Sequence, residues 1–197
     1  MPNLKNWSKK KVLDKAQDAP DTVFLAEDEA SLYLQATTMA VWALRGQTPV
    51  VRSDTQRDKV NFYGTLDLHT GQEIVLRTTE MNAQVSIQHL EQLLAAYPNR
   101  PIVLFWDRAS WHKGPLVGDF LAANPRLEIM YFPVGAPDLN PQEHVWKATR
   151  RVVSHNHLTP KLPQLADQFE AHLGQSTFQS SFLHRYGYGT VVCPNFI

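Results

Sequence analysis

Short apolar runs and segments of helical periodicity divide most of the chain between them. Val23-Phe24-Leu25-Ala26 predicts a buried strand that delivers Glu27-Asp28-Glu29 at its end. A second extended piece is expected over Leu32–Gln35, followed by an irregular stretch containing Gly46 and Pro49. Lys59–Leu68 is rich in β-formers, His69-Thr70-Gly71-Gln72 supplies turn chemistry, and Glu73–Arg77 returns as a strand, so a hairpin is expected. Val85, Ile87, Leu90, Leu93, Leu94 and Tyr97 then recur at helical spacing, which predicts an amphipathic helix over 82–97 stopped by Pro98-Asn99. Ile102-Val103-Leu104-Phe105-Trp106 is a continuous apolar strand running straight into Asp107. Leu116, Val117, Phe120 and Leu121 mark a helix, and Leu127–Phe132 a further buried strand. A loop holding Pro133, Pro137 and Pro141 follows, then helices over 142–153 and 162–173.

Three strands with a hairpin, followed by helix, strand, helix, strand and helix, predict an α/β layer structure with a partly parallel sheet. This order is that of ribonuclease-H-like, retroviral-integrase-type domains: a mixed sheet of about five strands with helices on both faces. Residues 21–175 are expected to form the domain, 1–20 a basic helix or linker, and 176–197 a tail packed on the domain.

Composition narrows the function classes. The apolar fraction of 43% fits a folded protein, and no apolar run reaches the roughly 18–20 residues that span a bilayer. The single cysteine, Cys193, cannot form an internal disulfide, which suits the cytoplasm. Lys plus Arg equals Asp plus Glu, which counts against binding DNA by net charge alone. The charge is unevenly placed, with Lys5, Lys9, Lys10, Lys11 and Lys15 at the start and Lys147, Arg150 and Arg151 late in the chain.

Three acids stand where strands or a helix would present them to one site. Asp28 ends the first strand, Asp107 ends the fourth, and Glu143 lies in the first turn of the helix after the proline loop. Clustered carboxylates repel unless cations neutralise them, and hard oxygen ligands suit Mg²⁺ or Mn²⁺. Two such ions activate a water on one side of a phosphodiester and stabilise the leaving oxygen on the other. A single acid at a strand end is more simply a solvated one, so the weight falls on the flanking residues.

Those residues carry a resemblance. Phe24-Leu25-Ala26-Glu27-Asp28-Glu29, Val103-Leu104-Phe105-Trp106-Asp107-Arg108-Ala109-Ser110-Trp111-His112 and the block from Pro133 through Pro137-Asp138-Leu139-Asn140-Pro141-Gln142-Glu143-His144-Val145-Trp146 resemble the three blocks of mariner-type DDE transposases. More narrowly, they are similar to the bacterial insertion-sequence branch of that superfamily, with Asn61-Phe62-Tyr63-Gly64 and Gly71-Gln72-Glu73 matching its middle region. The resemblance spans roughly residues 20–175 and departs in two places. Arg108 stands where the family usually has asparagine, and the loop reads Pro133-Val134-Gly135-Ala136-Pro137 where relatives often carry tyrosine and serine.

The resemblance implies a transposase catalytic domain in which Asp28, Asp107 and Glu143 hold two divalent ions, Mg²⁺ with Mn²⁺ as substitute. Water attack at a transposon end frees a 3′-hydroxyl, which then attacks target DNA at a TA dinucleotide. It further implies transposon-end and target DNA as partners, a homodimer, a helix-turn-helix DNA-binding part ahead of this one or in a separate chain, and a nucleoid location. On a strand neighbouring residues face opposite sides; the family pattern selects Asp28, with Glu27 second. Arg108, Lys147, Arg150 and Arg151 are candidate contacts to DNA phosphate. Asp138 and Asn140 are read as positioning the glutamate helix, with Pro141 in its first turn. His112 stands either near the scissile phosphate or as a structural histidine bonded to backbone, and Trp106 and Trp146 belong to the core. A plain metal-dependent nuclease and a non-catalytic DNA- or protein-binding remnant are the alternatives.

Overall fold

The computed structural model of the chain describes residues 19–48, 50–51, 58–133 and 139–182. The expected basic segment before Ala19, Asp138 and the end of the tail with Cys193 lie outside the described residues. Five strands, β1 (Val23–Tyr33), β2 (Lys59–Asp67), β3 (Glu73–Thr78), β4 (Ile102–Trp106) and β5 (Leu127–Tyr131), form one sheet in the order β3-β2-β1-β4-β5. The hairpin side is antiparallel, while β1 pairs with β4 and β4 with β5 in parallel. Parallel neighbours need crossover connections, and α1 (Ala83–Ala96) and α2 (Pro115–Ala123) supply them. Two further helices, α3 (Gln142–Thr149) and α4 (Leu162–Gln175), follow β5.

One strand differs from expectation in a way that shapes the site. The apolar run at 23–26 and the extended piece at 32–35 are largely one strand, and Glu27-Asp28-Glu29 lies within β1 rather than at its end. Its antiparallel pairing with β2 continues from Leu25↔Asp67 to Tyr33↔Lys59 and carries the acids as ladder residues. The parallel pairing with β4 stops at Ala26↔Phe105. Asp28 is therefore mid-strand toward β2 and beyond the end of pairing toward β4.

Side-chain alternation gives the sheet two buried faces. On one, Phe24, Ala26, Phe62, Val103 and Phe105 pack against Val145 and Trp146 of α3 and Leu165 and Phe169 of α4. On the other, Val23, Leu25, Leu104 and Trp106 pack against Leu90 and Leu93 of α1 and Val117 of α2. Each fully buried Leu or Phe contributes about 1.5–3 kcal/mol. Asn82 caps α1, its Oδ1 accepting from Val85 N at 3.0 Å, and the helix stops at Tyr97 before Pro98. His89 of α1 is buried against Thr65 at 2.7 Å, and desolvation lowers its pKa to about 4, so it sits there uncharged.

The helix expected over 142–153 changes pitch. After Thr149 the chain continues as a π turn, Arg150–Ser154. Of the expected tail, Phe178 and Phe182 pack on the first core face, and Phe178 N donates to Gly71 O at 2.8 Å.

Candidate active site

Asp28, Asp107 and Glu143 come from three elements, of which the two strand segments meet at the end of the β1–β4 pairing in the middle of the sheet. Alternation along β1 puts Asp28 on the same face as Phe24 and Ala26, toward α3. Glu143 is in the first turn of α3, where a carboxylate is favoured by the exposed N–H groups of the helix start. Asp107 directly follows Trp106, the last residue of β4.

Asn140 fixes the approach of α3. Its Oδ1 accepts from Gln142 N at 3.1 Å and its Nδ2 donates to the carbonyl of Glu27 at 3.2 Å, so the proline loop is tied to β1 beside Asp28. Gln142 adds a second tie, its Nε2 bonding Glu73 Oε1 in the core. Burial pushes the Glu73 carboxyl well above the usual range.

The acids crowd one another. Burial, and then the charges of Glu29, Glu143 and Asp107, push the Asp28 carboxyl up to about 7, against a backbone hydrogen bond that acts the other way. A divalent cation would relieve this repulsion, and the all-oxygen donor set fits Mg²⁺ or Mn²⁺. In the metal-free chain the sign is fixed: an acid whose folded pKa exceeds its unfolded value adds stability that is complete below about pH 4 and lost as pH rises through about 7. Thermal melts in EDTA should therefore fall between pH 5 and pH 8 for the native chain and fall less for Asp28→Asn, by on the order of 2–4 kcal/mol. Parallel curves for the two proteins would contradict it.

Asp107 sits differently. Its Oδ1 accepts from Ala109 N at 2.8 Å and from His112 Nδ1 at 2.8 Å, and the side chain stays 44% exposed. The hydrogen bond from His112 is the main reason its carboxyl lies below the usual range. Among the described residues Oδ2 makes no hydrogen bond, so one oxygen is held and the other faces outward.

A second donor set lies on the far face of β1. Oxygen atoms of Glu27 and Glu29 and a ring nitrogen of His112 all fall within 4.8 Å of one another; Asp28, Asp107 and Glu143 are not gathered that tightly. His112 is fully buried, stacked on Trp106 with ring centroids 3.9 Å apart, and bonded to two carboxylates, Asp107 and Glu29, both at 2.8 Å. Its partners are therefore side chains, not the backbone expected of a structural histidine. Burial works against a charged ring, but these hydrogen bonds and charges outweigh it and hold its pKa above the ordinary value. Both ring nitrogens face carboxylate oxygens, so both donate, and neither has a lone pair left for a cation. Glu27 is buried beside Trp106 with neither oxygen hydrogen-bonded among the described residues, and desolvation first, then the Glu29 and Asp28 charges, raise its carboxyl well above the usual range.

The expected basic residues divide. Lys147 and Arg151 are exposed, Arg150 is half-buried and its guanidinium reaches the carbonyl of Ser31 at 3.4 Å, and all three follow Glu143 along α3 and the π turn. Arg108 is exposed, but its guanidinium lies 5.0 Å from the Tyr131 ring centroid and its Nε donates to Phe132 O at 3.4 Å.

One residue of the matched middle region, Gly64, had no role assigned from the sequence and seats α3 against the sheet. Gly64 faces Asp28 across the β1–β2 ladder, and a Cβ there would come inside 3.0 Å of Trp146, Gln142 and Glu73. An isolated glycine within a strand pattern signals such close approach.

An α/β sheet in this strand order, with helices on both faces, is the ribonuclease-H-like fold. The same fold is found in the Mos1 transposase paired-end complex with left transposon end, at a TM-score of 0.66 and 14% identity over 96% of this chain and 60% of that one. The Mos1 transposase catalytic domain with Raltegravir and Mg matches at a TM-score of 0.62 and 12% identity, over 96% of this chain and 92% of that one. Residues 22–166 match the DDE superfamily endonuclease family, and the chain belongs to it. A relative from Shigella sonnei, the insertion element IS630 uncharacterized 39 kDa protein, is 31% identical over 140 residues. That match covers 71% of this chain and 41% of the relative, so the chain spans about two-fifths of the relative's length.

Proposed function

We propose that this domain is the catalytic part of a DNA transposase, with Asp28, Asp107 and Glu143 as its metal-binding acids. The observation that carries the reading is where the fold puts the three acids: Asp28 just past the end of the β1–β4 pairing, Asp107 directly after β4, and Glu143 in the first turn of a helix whose approach Asn140 ties to β1 beside Asp28. Two divalent ions, Mg²⁺ or Mn²⁺, would supply charge neutralisation at the scissile phosphate and a more acidic attacking hydroxyl. The residues that would hold them are Asp28 on β1, Asp107 directly after β4, and Glu143 from a helix start that Asn140 ties to β1. No protein nucleophile is required. Water attack at the transposon end leaves a 3′-hydroxyl, and that hydroxyl attacks target DNA at the same site.

Family membership, the mariner transposase fold and the insertion-element relative support this reading over a non-catalytic one. Structures of the Mos1 mariner paired-end complex with Mn and with Mg support those metals. DNA is the partner, two copies pairing two transposon ends is the working assembly, and a helix-turn-helix part outside this region supplies end recognition. No described helix is long and apolar enough to cross a membrane, and the proposed place of action is the nucleoid.

The reading is tested with supercoiled plasmid and Mn²⁺ or Mg²⁺. Metal-dependent nicking, followed by joining of a pre-cleaved DNA end into the plasmid, is the expected outcome. Nicking without joining would reduce the protein to a nuclease, and DNA binding without either would leave a non-catalytic remnant. Lys147 and Arg151 lie on the segment that bears Glu143, so each replaced by alanine should lower the slope of log affinity against log salt by about 0.9. An unchanged slope for both would take the DNA path off this helix.

A further inference from the structure

We propose that Glu29 and His112 form a side-chain clamp that fixes one oxygen of Asp107 and sets the spacing between the Asp107 and Asp28 strands, which makes both of them positioning residues. The inference rests on the metal-binding reading of Asp28, Asp107 and Glu143 given above. Backbone pairing between β1 and β4 ends at Ala26↔Phe105, two residues before Asp28 on one chain segment and two before Asp107 on the other. Beyond that point no backbone ladder among the described residues links the two strands, although Asp28 stays paired with Gly64 of β2.

The clamp spans that gap. Glu29 follows Asp28 on β1 and points to the opposite face, where its side chain is only 5% exposed. Its Oε1 accepts from Trp111 Nε1 at 2.7 Å and from His112 Nε2 at 2.8 Å. The other ring nitrogen of His112 donates to Asp107 Oδ1 at 2.8 Å. A 3₁₀ turn, Ser110–His112, brings the imidazole back beneath Asp107, and Trp106 stacks on it from the strand. Rotation of the ring would break two charge-assisted hydrogen bonds and the stack together. Carboxylate–histidine pairs that orient a metal ligand from behind are a recurring device, and their loss typically weakens metal binding 10–100-fold.

The test is Mn²⁺ binding followed by electron paramagnetic resonance, with metal-free melting and the Mn²⁺ concentration for half-maximal plasmid nicking measured in parallel. Glu29→Ala should weaken Mn²⁺ binding by about 10–100-fold and raise the half-maximal concentration by the same factor. Glu29→Gln, whose amide oxygen still accepts from the ring, should recover most of the loss. A role in folding alone would lower the melting temperature and leave the metal midpoint where it was. Should Glu29→Ala not fold, Trp111→Phe decides: it removes one bond to Glu29 and should shift the midpoint in the same direction by less. Native-like Mn²⁺ affinity in folded Glu29→Ala, or in Trp111→Phe if that is the variant tested, overturns the clamp while the metal site stands. Absence of Mn²⁺ binding in the native protein overturns the metal reading and the clamp with it.

Discussion

Asp107→Asn should lower metal-dependent nicking by at least about a thousandfold at saturating DNA. The substitution is nearly isosteric, and the amide oxygen can still accept from Ala109 N, so the turn after β4 survives. What is lost is the charge on a carboxylate whose outward oxygen makes no hydrogen bond among the described residues. Removing a metal ligand forfeits several kcal/mol of charge stabilisation in the transition state, and each 1.36 kcal/mol is tenfold in rate. The cost to the fold is smaller, because Asp107 is 44% exposed and the asparagine amide oxygen can still accept from His112 Nδ1. Nicking assays set beside metal-free melts separate the two effects. Full activity in Asp107→Asn would mean the chemistry lies elsewhere.

Gly64→Ala should produce a large loss of stability from a single methyl group. The new Cβ would enter space held by the Trp146 ring, the Gln142 amide and the Glu73 carboxyl, all inside 3.0 Å. The indole is rigid and fully buried, and the other two side chains are bonded to each other, so none can step aside freely. Overpacking of this kind costs about 1–3 kcal/mol. For a domain of this size, that lowers the melting temperature by roughly 3–10 °C. Because two of the displaced residues, Trp146 and Gln142, belong to α3, activity should fall as well, through Glu143. Gly118→Ala is the control: on α2 a Cβ meets nothing within 4 Å, and alanine favours a helix by about 1 kcal/mol. Equal melting of Gly64→Ala and the native chain would show that α3 is not seated on the sheet through Gly64.

Much of the frame was legible because it is written in local patterns. The continuous apolar run before Asp107, the hairpin turn at 69–72 and the helical spacing over 82–97 each correspond to an element of the sheet or its crossovers. The strands leading to Asp28 and Asp107, expected to present both acids to one site, are neighbours as the β1–β4 pair. Other features depend on partners distant in sequence. The length of β1 is set by its ladder with β2, which overrides the break that three consecutive acids suggest. His112 reads as an isolated histidine until Glu29, far back along the chain, is brought to its second nitrogen. The contact of Gly64 with Gln142 and Glu73 joins three elements, and only the isolated glycine hinted at it. The change from α to π pitch at Arg150 has no marker in the side chains around it.

The central claim is that Asp28, Asp107 and Glu143, and not the donors on the opposite face of β1, bind the metal. Anomalous scattering from a crystal of this domain grown with Mn²⁺ addresses it directly. The account predicts manganese density between Asp28, Asp107 and Glu143, with His112 still bonded to Asp107 and Glu29. Density at Glu27, Glu29 and His112 instead, or none beside Asp28 at saturating Mn²⁺, would contradict it.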